Sequence, residues 1–291
     1  MATPTADRKK VSIIDLQNKK AKGLPMTMMT AYDYPTAQIV DRAGIDMILV
    51  GDSLAMVVLG YENTVSVTME EMLHHCRAVA RGAKHSLLIG DMPFMSYQVS
   101  VPQAVENAGR FLKESNMDVV KLEGGKDRAE VVRAIVRAGI PVVGHIGLTP
   151  QTISMLGGFR VQGKSVQAAL SVIDDALALE EAGCFAMVVE GVPDRVAAII
   201  TEKLSIPTIG IGAGSQCSGQ VLVLHDMLGM FDRFTPKFVK KYATFFETGT
   251  KALQDYIADV EKGAFPGPEH VYTIQDDVYA SLLEELEKRS R

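Results

Sequence analysis

The chain has 291 residues, 47% of them hydrophobic and 22% charged, with a formal net charge of −5. This is ordinary globular composition with ample material for a large core, and no basic stretch is interleaved with aromatics, which argues against a nucleic-acid-binding protein. The three cysteines, Cys76, Cys184 and Cys217, stand too far apart for a metal spacing or a disulfide framework, which suits a cytoplasmic location.

In chain order, the opening MATPTADRKK is basic but lacks the apolar segment of a secretory signal, and residues 1–10 read as a flexible tail. No apolar run approaches the roughly 18 residues of a membrane-spanning helix. Short runs rich in Val, Ile, Leu and Met follow at 26–30, 46–51, 86–90, 118–122, 141–146, 185–190, 207–211 and 221–224. Most are bounded by Gly or Pro, as fully buried parallel strands are. Amphipathic stretches lie between them, at 68–82, 101–116, 127–138, 167–182 and 193–204. In the first of these, Thr68 with Glu71 three residues on predicts a capping box. Gly44, Gly139 and Gly183 stand where helices end in a left-handed residue. Eight strand–helix units predict a single (β/α)8 TIM barrel with right-handed crossovers, although counting alone leaves an open doubly wound sheet in play. A Gly-rich loop at 147–166 interrupts the rhythm and reads as a lid or binding loop. The region after 225 reads as mostly helical, with a charged, amphipathic C-terminal extension at 271–291.

Polar residues sit directly at the ends of the strand runs: Asp52 and Ser53 after ILVG, Asp91 after LLIG, Lys121 and Glu123 in VVKLE, His145 after PVVG, and Glu190 after AMVV. Taken singly, Asp52, Ser53 and Asp91 are as well explained as helix caps. Together they form one site at the barrel rim, where such folds place their chemistry. Asp52, Asp91 and Glu123 would repel one another unless a cation sat among them, and oxygen-only ligands suit Mg²⁺. Lys121 and Glu123, two apart in a strand, share a face. A lysine there must pair with the carboxylates or meet an anionic substrate, and the second is preferred. Glu190 is then spare, and burial among apolar neighbours is expected to strengthen it as a base. His145 is equally compatible with a structural role. The run Gly210-Ile211-Gly212-Ala213-Gly214 fails as a dinucleotide fingerprint, because Ser215 stands where the last Gly should be. Close backbone approach to a ligand, or a plain tight turn, remains for it.

The segments VGDSLAMVVLGYENTVSVT (50–68), DMPFMSY (91–97), VKLEGG (120–125), GHIGLTPQ (144–151), VVEGVP (188–193) and IPTIGIGAG (206–214) resemble, in order, the ketopantoate hydroxymethyltransferase family. That family belongs to the phosphoenolpyruvate/pyruvate barrel superfamily. The resemblance implies Mg²⁺ held by Asp52, Asp91 and Glu123, keto-acid contacts from Asp52, Ser53, Asp91 and Lys121, and Glu190 as proton acceptor. His145 is grouped with the substrate contacts. The implied reaction transfers a hydroxymethyl group from 5,10-methylenetetrahydrofolate to 3-methyl-2-oxobutanoate, giving 2-dehydropantoate for pantothenate synthesis. The implied assembly is a homo-oligomer, often a decamer in the family. Ala55 and Gly191 depart from the family's usual Gly and Cys. The alternative is a Mg²⁺-dependent C–C lyase or mutase of the same superfamily, but no Cys lies between 85 and 183 to form such a lyase's cysteine loop. A non-catalytic keto-acid sensor would have little use for Glu190 beside an intact metal set.

Overall fold

The computed structural model describes residues 8–156, 158 and 160–290. Eight parallel strands close into a barrel in sequential order: β1 (Met26–Thr30), β2 (Met47–Val50), β3 (Leu87–Asp91), β4 (Val119–Glu123), β5 (Val142–Gly147), β6 (Ala186–Glu190), β7 (Thr208–Ile211) and β8 (Gly219–Leu222). The last strand begins two residues before the sequence expectation. Closure settles the choice against an open sheet.

The strands look uniformly apolar because both of their faces are buried, yet the two faces differ. Val50, Leu88, Val120 and Val142 pack outward against the helices. Met47, Leu49, Leu87, Ile89, Val119 and Val143 form a second cluster inside the barrel. Because side chains alternate, continuing each inward row leads from Leu87 and Ile89 to Asp91, from Val119 to Lys121 and Glu123, from Val143 to His145, and from Ala186 and Val188 to Glu190. The interior therefore changes from apolar to charged along the strand direction. Register completes the arrangement, pairing Asp91 with Lys121 and Glu123 with His145 on neighbouring strands.

The helices form where their caps dictate. Thr68 and Glu71 make the expected capping box, with Glu71 N–H donating to Thr68 Oγ1 (3.2 Å) and Thr68 N–H donating to Glu71 Oε2 (2.8 Å). Gly44, Gly139 and Gly183 all adopt positive φ after their helices, as expected. Among the described helices longer than one turn and before residue 225, two have no amphipathic stretch in the sequence reading, Ile13–Ala21 and Tyr34–Arg42, the second signalled only by Gly44 at its end. The first is short and mostly polar, and it buries a single residue, Leu16. Leu16 belongs to the cluster inside the barrel, flanked by Val11 and Ile13. The helix thus stoppers the end of the barrel opposite the charged residues. Truncating a core leucine of this kind costs about 2–5 kcal/mol.

Residues 1–7 of the segment read as a flexible tail lie outside the described residues. Its remainder is tethered: Arg8 donates to the carbonyls of Asp41 (3.2 Å) and Ile45 (2.7 Å), and Lys10 to Asp118 (2.6 Å). The chain divides into two compact units, Met1–Ala243 and Thr244–Arg291. The second begins well before residue 271, where the extension was expected, and carries the helices Phe245–Glu261 and Asp276–Arg289. None of its described helical residues is buried, and Leu282 and Leu286 remain about half exposed.

Candidate active site

One cavity of about 600 Å³ opens at the C-terminal ends of the strands, and Asp52, Ser53, Asp91, Lys121, Glu123, His145 and Glu190 all line it. The bland alternative of helix caps fails. Ser53 precedes the short helix Leu54–Val57 but makes no capping bond. Its Oγ instead lies 2.8 Å from the hydroxyl of the buried Tyr32.

Asp52, Asp91, Lys121, Glu123 and His145 are each at least 95% buried. Asp52 N–H donates to Asp91 Oδ2 at 3.1 Å. Lys121 Nζ stands 2.8 Å from Asp91 Oδ1 and 3.2 Å from His145 Nδ1. The lysine pairs with a carboxylate, one of the two alternatives weighed in the sequence, and still faces the cavity. His145 spans two acids, with Nδ1 3.4 Å from Glu123 Oε1 and Nε2 3.2 Å from Glu190 Oε2. Glu190 is not buried among apolar neighbours as expected. Its side chain keeps 16% exposure, opens on the cavity and faces the imidazole.

Four carboxylates thus face two cationic side chains, and the excess charge shows in their titration. Burial, together with the negative charges of Asp91 and Glu123, pushes Asp52 well above the usual carboxylate range. Burial and Glu123 also push Asp91 up, although Lys121 opposes them. Glu123 goes down, because His145 and Lys121 outweigh its burial. Burial and Lys121 act to depress His145, but Glu123 and Glu190 overcome them and hold it at about 9. The three acids likewise outweigh burial at Lys121 and keep it protonated.

These residues fit a hard cation. Asp91 Oδ1 and Glu123 Oε1 are fully buried and accept no hydrogen bond, their cationic neighbours standing off the hydrogen-bond line. Two such oxygens beside a carboxylate already pushed towards protonation are the donor set that Mg²⁺ relieves. Among the described residues, no three His, Cys, Asp or Glu side chains are spaced to ligate an ion directly. Mg²⁺ keeps several waters and takes only one or two carboxylates directly, so this spacing suits it.

Two participants were missed by the sequence reading. Gln151, in the loop after β5, is 97% buried. Its Nε2 donates to Asp52 Oδ2 (3.0 Å) and to the Met92 carbonyl (2.9 Å), and its backbone N–H donates to Glu123 Oε2 (3.0 Å). Tyr97 donates to Gln151 Oε1 (2.6 Å) and accepts from Glu123 N–H (3.1 Å). Both lie in quoted motifs, DMPFMSY and GHIGLTPQ, but a neutral side chain off a strand end carries no charge signal. Of the loop at 147–166, Gly157 and Phe159 lie outside the described residues, and Pro150, Arg160 and Val161 line the cavity. Gly212 and Gly214 also line it at φ +61° and +83°, so the turn itself requires glycine there. Of the two departures, Ala55 is fully buried and Gly191 sits at φ +55°.

A closed barrel with a buried, charged cluster lining a cavity at the strand ends is the arrangement of a (β/α)8 barrel enzyme. Solved structures agree on the fold: a phosphonopyruvate hydrolase complexed with oxalate and Mg²⁺ superposes with a TM-score of 0.59 over 96% of this chain and 97% of its own, at 11% identity. A 2,3-dimethylmalate lyase of the PEP mutase/isocitrate lyase superfamily gives 0.56 over 96% and 97%, at 15% identity. The family model for ketopantoate hydroxymethyltransferase matches residues 10–268. The 3-methyl-2-oxobutanoate hydroxymethyltransferase of Syntrophobacter fumaroxidans is 57% identical over 97% of this chain and 99% of its own. That of Enterococcus faecalis is 56% identical over 94% and 99%. The chain belongs to the ketopantoate hydroxymethyltransferase family, a family of transferase enzymes. No described helix is long and apolar enough to cross a membrane.

Proposed function

We propose that this chain transfers a hydroxymethyl group from 5,10-methylenetetrahydrofolate to 3-methyl-2-oxobutanoate, giving 2-dehydropantoate and tetrahydrofolate in pantothenate synthesis. The observation that carries this reading is Glu190, a carboxylate open to the cavity beside a buried cluster with excess negative charge. Asp52, Asp91 and Glu123 would hold Mg²⁺. When bound, the ion supplies positive charge where the keto oxygen gains negative charge. Lys121 attracts the keto acid's carboxylate, and Ser53, backed by Tyr32, orients it through a hydrogen bond. Glu190 accepts the C3 proton, and His145, at 3.2 Å, holds Glu190 in place. The resulting C3 carbanion equivalent forms a bond to the folate's methylene carbon. That bond replaces one of the methylene's two C–N bonds; water then displaces the second nitrogen and supplies the hydroxyl, and the two freed folate nitrogens take up the C3 proton and the remaining proton of that water.

The lyase reading has less support, since the family match covers most of the chain and the lyases share only the fold. Glu190→Gln tests the assignment. It is expected to abolish exchange of the substrate's C3 proton with solvent while keto-acid binding survives. Normal exchange removes Glu190 from the role of base. The protein is further proposed to act in the cytoplasm as a homo-oligomer, a decamer by family resemblance. The half-exposed Val278, Tyr279, Leu282 and Leu286 support assembly with other copies.

A further inference from the structure

At about 600 Å³ the cavity is far larger than a five-carbon keto acid needs, and its lining reaches beyond the carboxylate cluster. Asp226, on the short turn of helix after β8, is 91% buried and lines the cavity as well. Among the described residues its carboxylate accepts no hydrogen bond and makes no ion pair. Burial pushes it up to about 6 against the opposing charge of Lys241. Phe231, Phe234 and Phe238 line the same cavity. Arg160 and Lys237 also line it, are exposed, and have no acidic partner among the described residues. Ordered by exposure, the lining therefore holds a buried acceptor without a partner, three phenylalanines of which Phe234 and Phe238 are open to solvent, and two exposed cations.

Such an order describes a ligand with paired N–H donors at one end, a flat apolar middle and an anionic tail. A buried carboxylate without a partner is costly, and two parallel donors relieve it best. A 2-amino-4-oxopteridine offers such a pair, its ring N–H beside its exocyclic amine. A flat ring system stacks on phenyl faces, and a glutamate tail suits exposed Arg and Lys. We propose that Asp226 is the specificity residue for the one-carbon donor, accepting both donors of its pteridine edge, with the three phenylalanines enclosing the ring and Arg160 and Lys237 meeting the glutamate tail. The assignment rests on a folate being the donor. It goes beyond that reading by locating the folate within the cavity.

The test compares wild type, Asp226→Asn and Lys237→Ala, each with Mg²⁺ and 3-methyl-2-oxobutanoate. Measured are KM for 5,10-methylenetetrahydrofolate, the calorimetric Kd for tetrahydrofolate and the rate of C3 proton exchange without folate. An amide turns one acceptor into a donor facing a donor. Asp226→Asn should therefore raise both KM and Kd at least about 10-fold, while proton exchange, which uses no folate, persists and certifies the fold. Lys237→Ala should weaken tetrahydrofolate about 3- to 10-fold and leave 6-methyltetrahydropterin, which lacks the tail, unaffected. Unchanged KM and Kd in Asp226→Asn, or equal losses of folate binding and proton exchange, overturn the proposal while leaving the transferase reading intact. Should wild type neither bind tetrahydrofolate nor turn over the methylene donor, the transferase reading falls first and the proposal falls with it.

Discussion

Replacing Gln151 by Met keeps the side chain's length and removes its polar atoms. The wild-type amide gives one hydrogen bond to the Asp52 carboxylate and one to the Met92 carbonyl, and accepts one each from Tyr97 and Gln98. A bond to a charged group is worth about 1.5–3 kcal/mol and a neutral one about 1, so the four together amount to about 4.5–6 kcal/mol in a buried setting. The backbone N–H bond to Glu123 survives, since it does not depend on the side chain. Gln151 also holds Asp52 down against burial and its acidic neighbours. Without it Asp52 takes up a proton more readily and becomes a poorer partner for Mg²⁺. Loss of an outer hydrogen bond to a metal-site residue typically costs about 10- to 100-fold in metal affinity. Guanidinium unfolding in chelator should show the stability loss, and calorimetric titration of Mg²⁺ should show the weaker binding. Stability within about 0.5 kcal/mol of wild type together with unaltered Mg²⁺ affinity would refute the reasoning.

Asp91→Ala is expected to abolish Mg²⁺ dependence and activity together. It also strands the Lys121 ammonium 2.8 Å from its lost partner, at a cost of about 3–5 kcal/mol; a fully active, metal-free variant sinks the three-carboxylate site. Far from the site, Asp41 accepts from the backbone N–H groups of Lys84 (3.0 Å), His85 (3.0 Å) and Ser86 (2.8 Å). Burial would push its carboxyl up, but these donors and the His85 ring hold it below the usual range. Because the folded value is lowered, the contribution is present above the unfolded value of about 4 and is lost as pH falls towards the folded one. Asp41→Asn should cost about 2–3 kcal/mol at pH 7, and the gap to wild type should narrow as unfolding is followed from pH 5 to 3. A gap that does not change with pH removes the buried carboxylate from acid stability.

The barrel was legible because its strands are short apolar runs with polar ends, and because Thr68 with Glu71 and the glycines at 44, 139 and 183 punctuate the helices in recognisable ways. The helix Ile13–Ala21 was not, since one buried leucine in nine residues leaves no periodic stripe. Ser12 with Asp15 three residues on was the available signal, as the two form a capping box. The row of polar strand ends located the site, because charge at the end of a buried strand has few structural uses. Pairing was beyond that reading: whether Lys121 meets Asp91 or an incoming anion depends on the register of β3 against β4, which no single-strand pattern carries. Gln151 and Tyr97 were invisible for a different reason. They act on the charged residues by neutral hydrogen bonds from loops, where composition gives no reason to prefer one polar residue over another.

The helix beneath the barrel has a consequence for traffic. With Leu16 and the inner methionines filling one end of the barrel, the cavity lies at the other end, where the strands finish. With the folate placed as proposed, the keto acid settles on the carboxylates before the folate fills the rest of the cavity. After reaction the folate has to depart first. Steric order alone then imposes a compulsory sequence on the kinetics: saturating folate should slow escape of the keto acid, and isotope trapping of the bound acid would register that order.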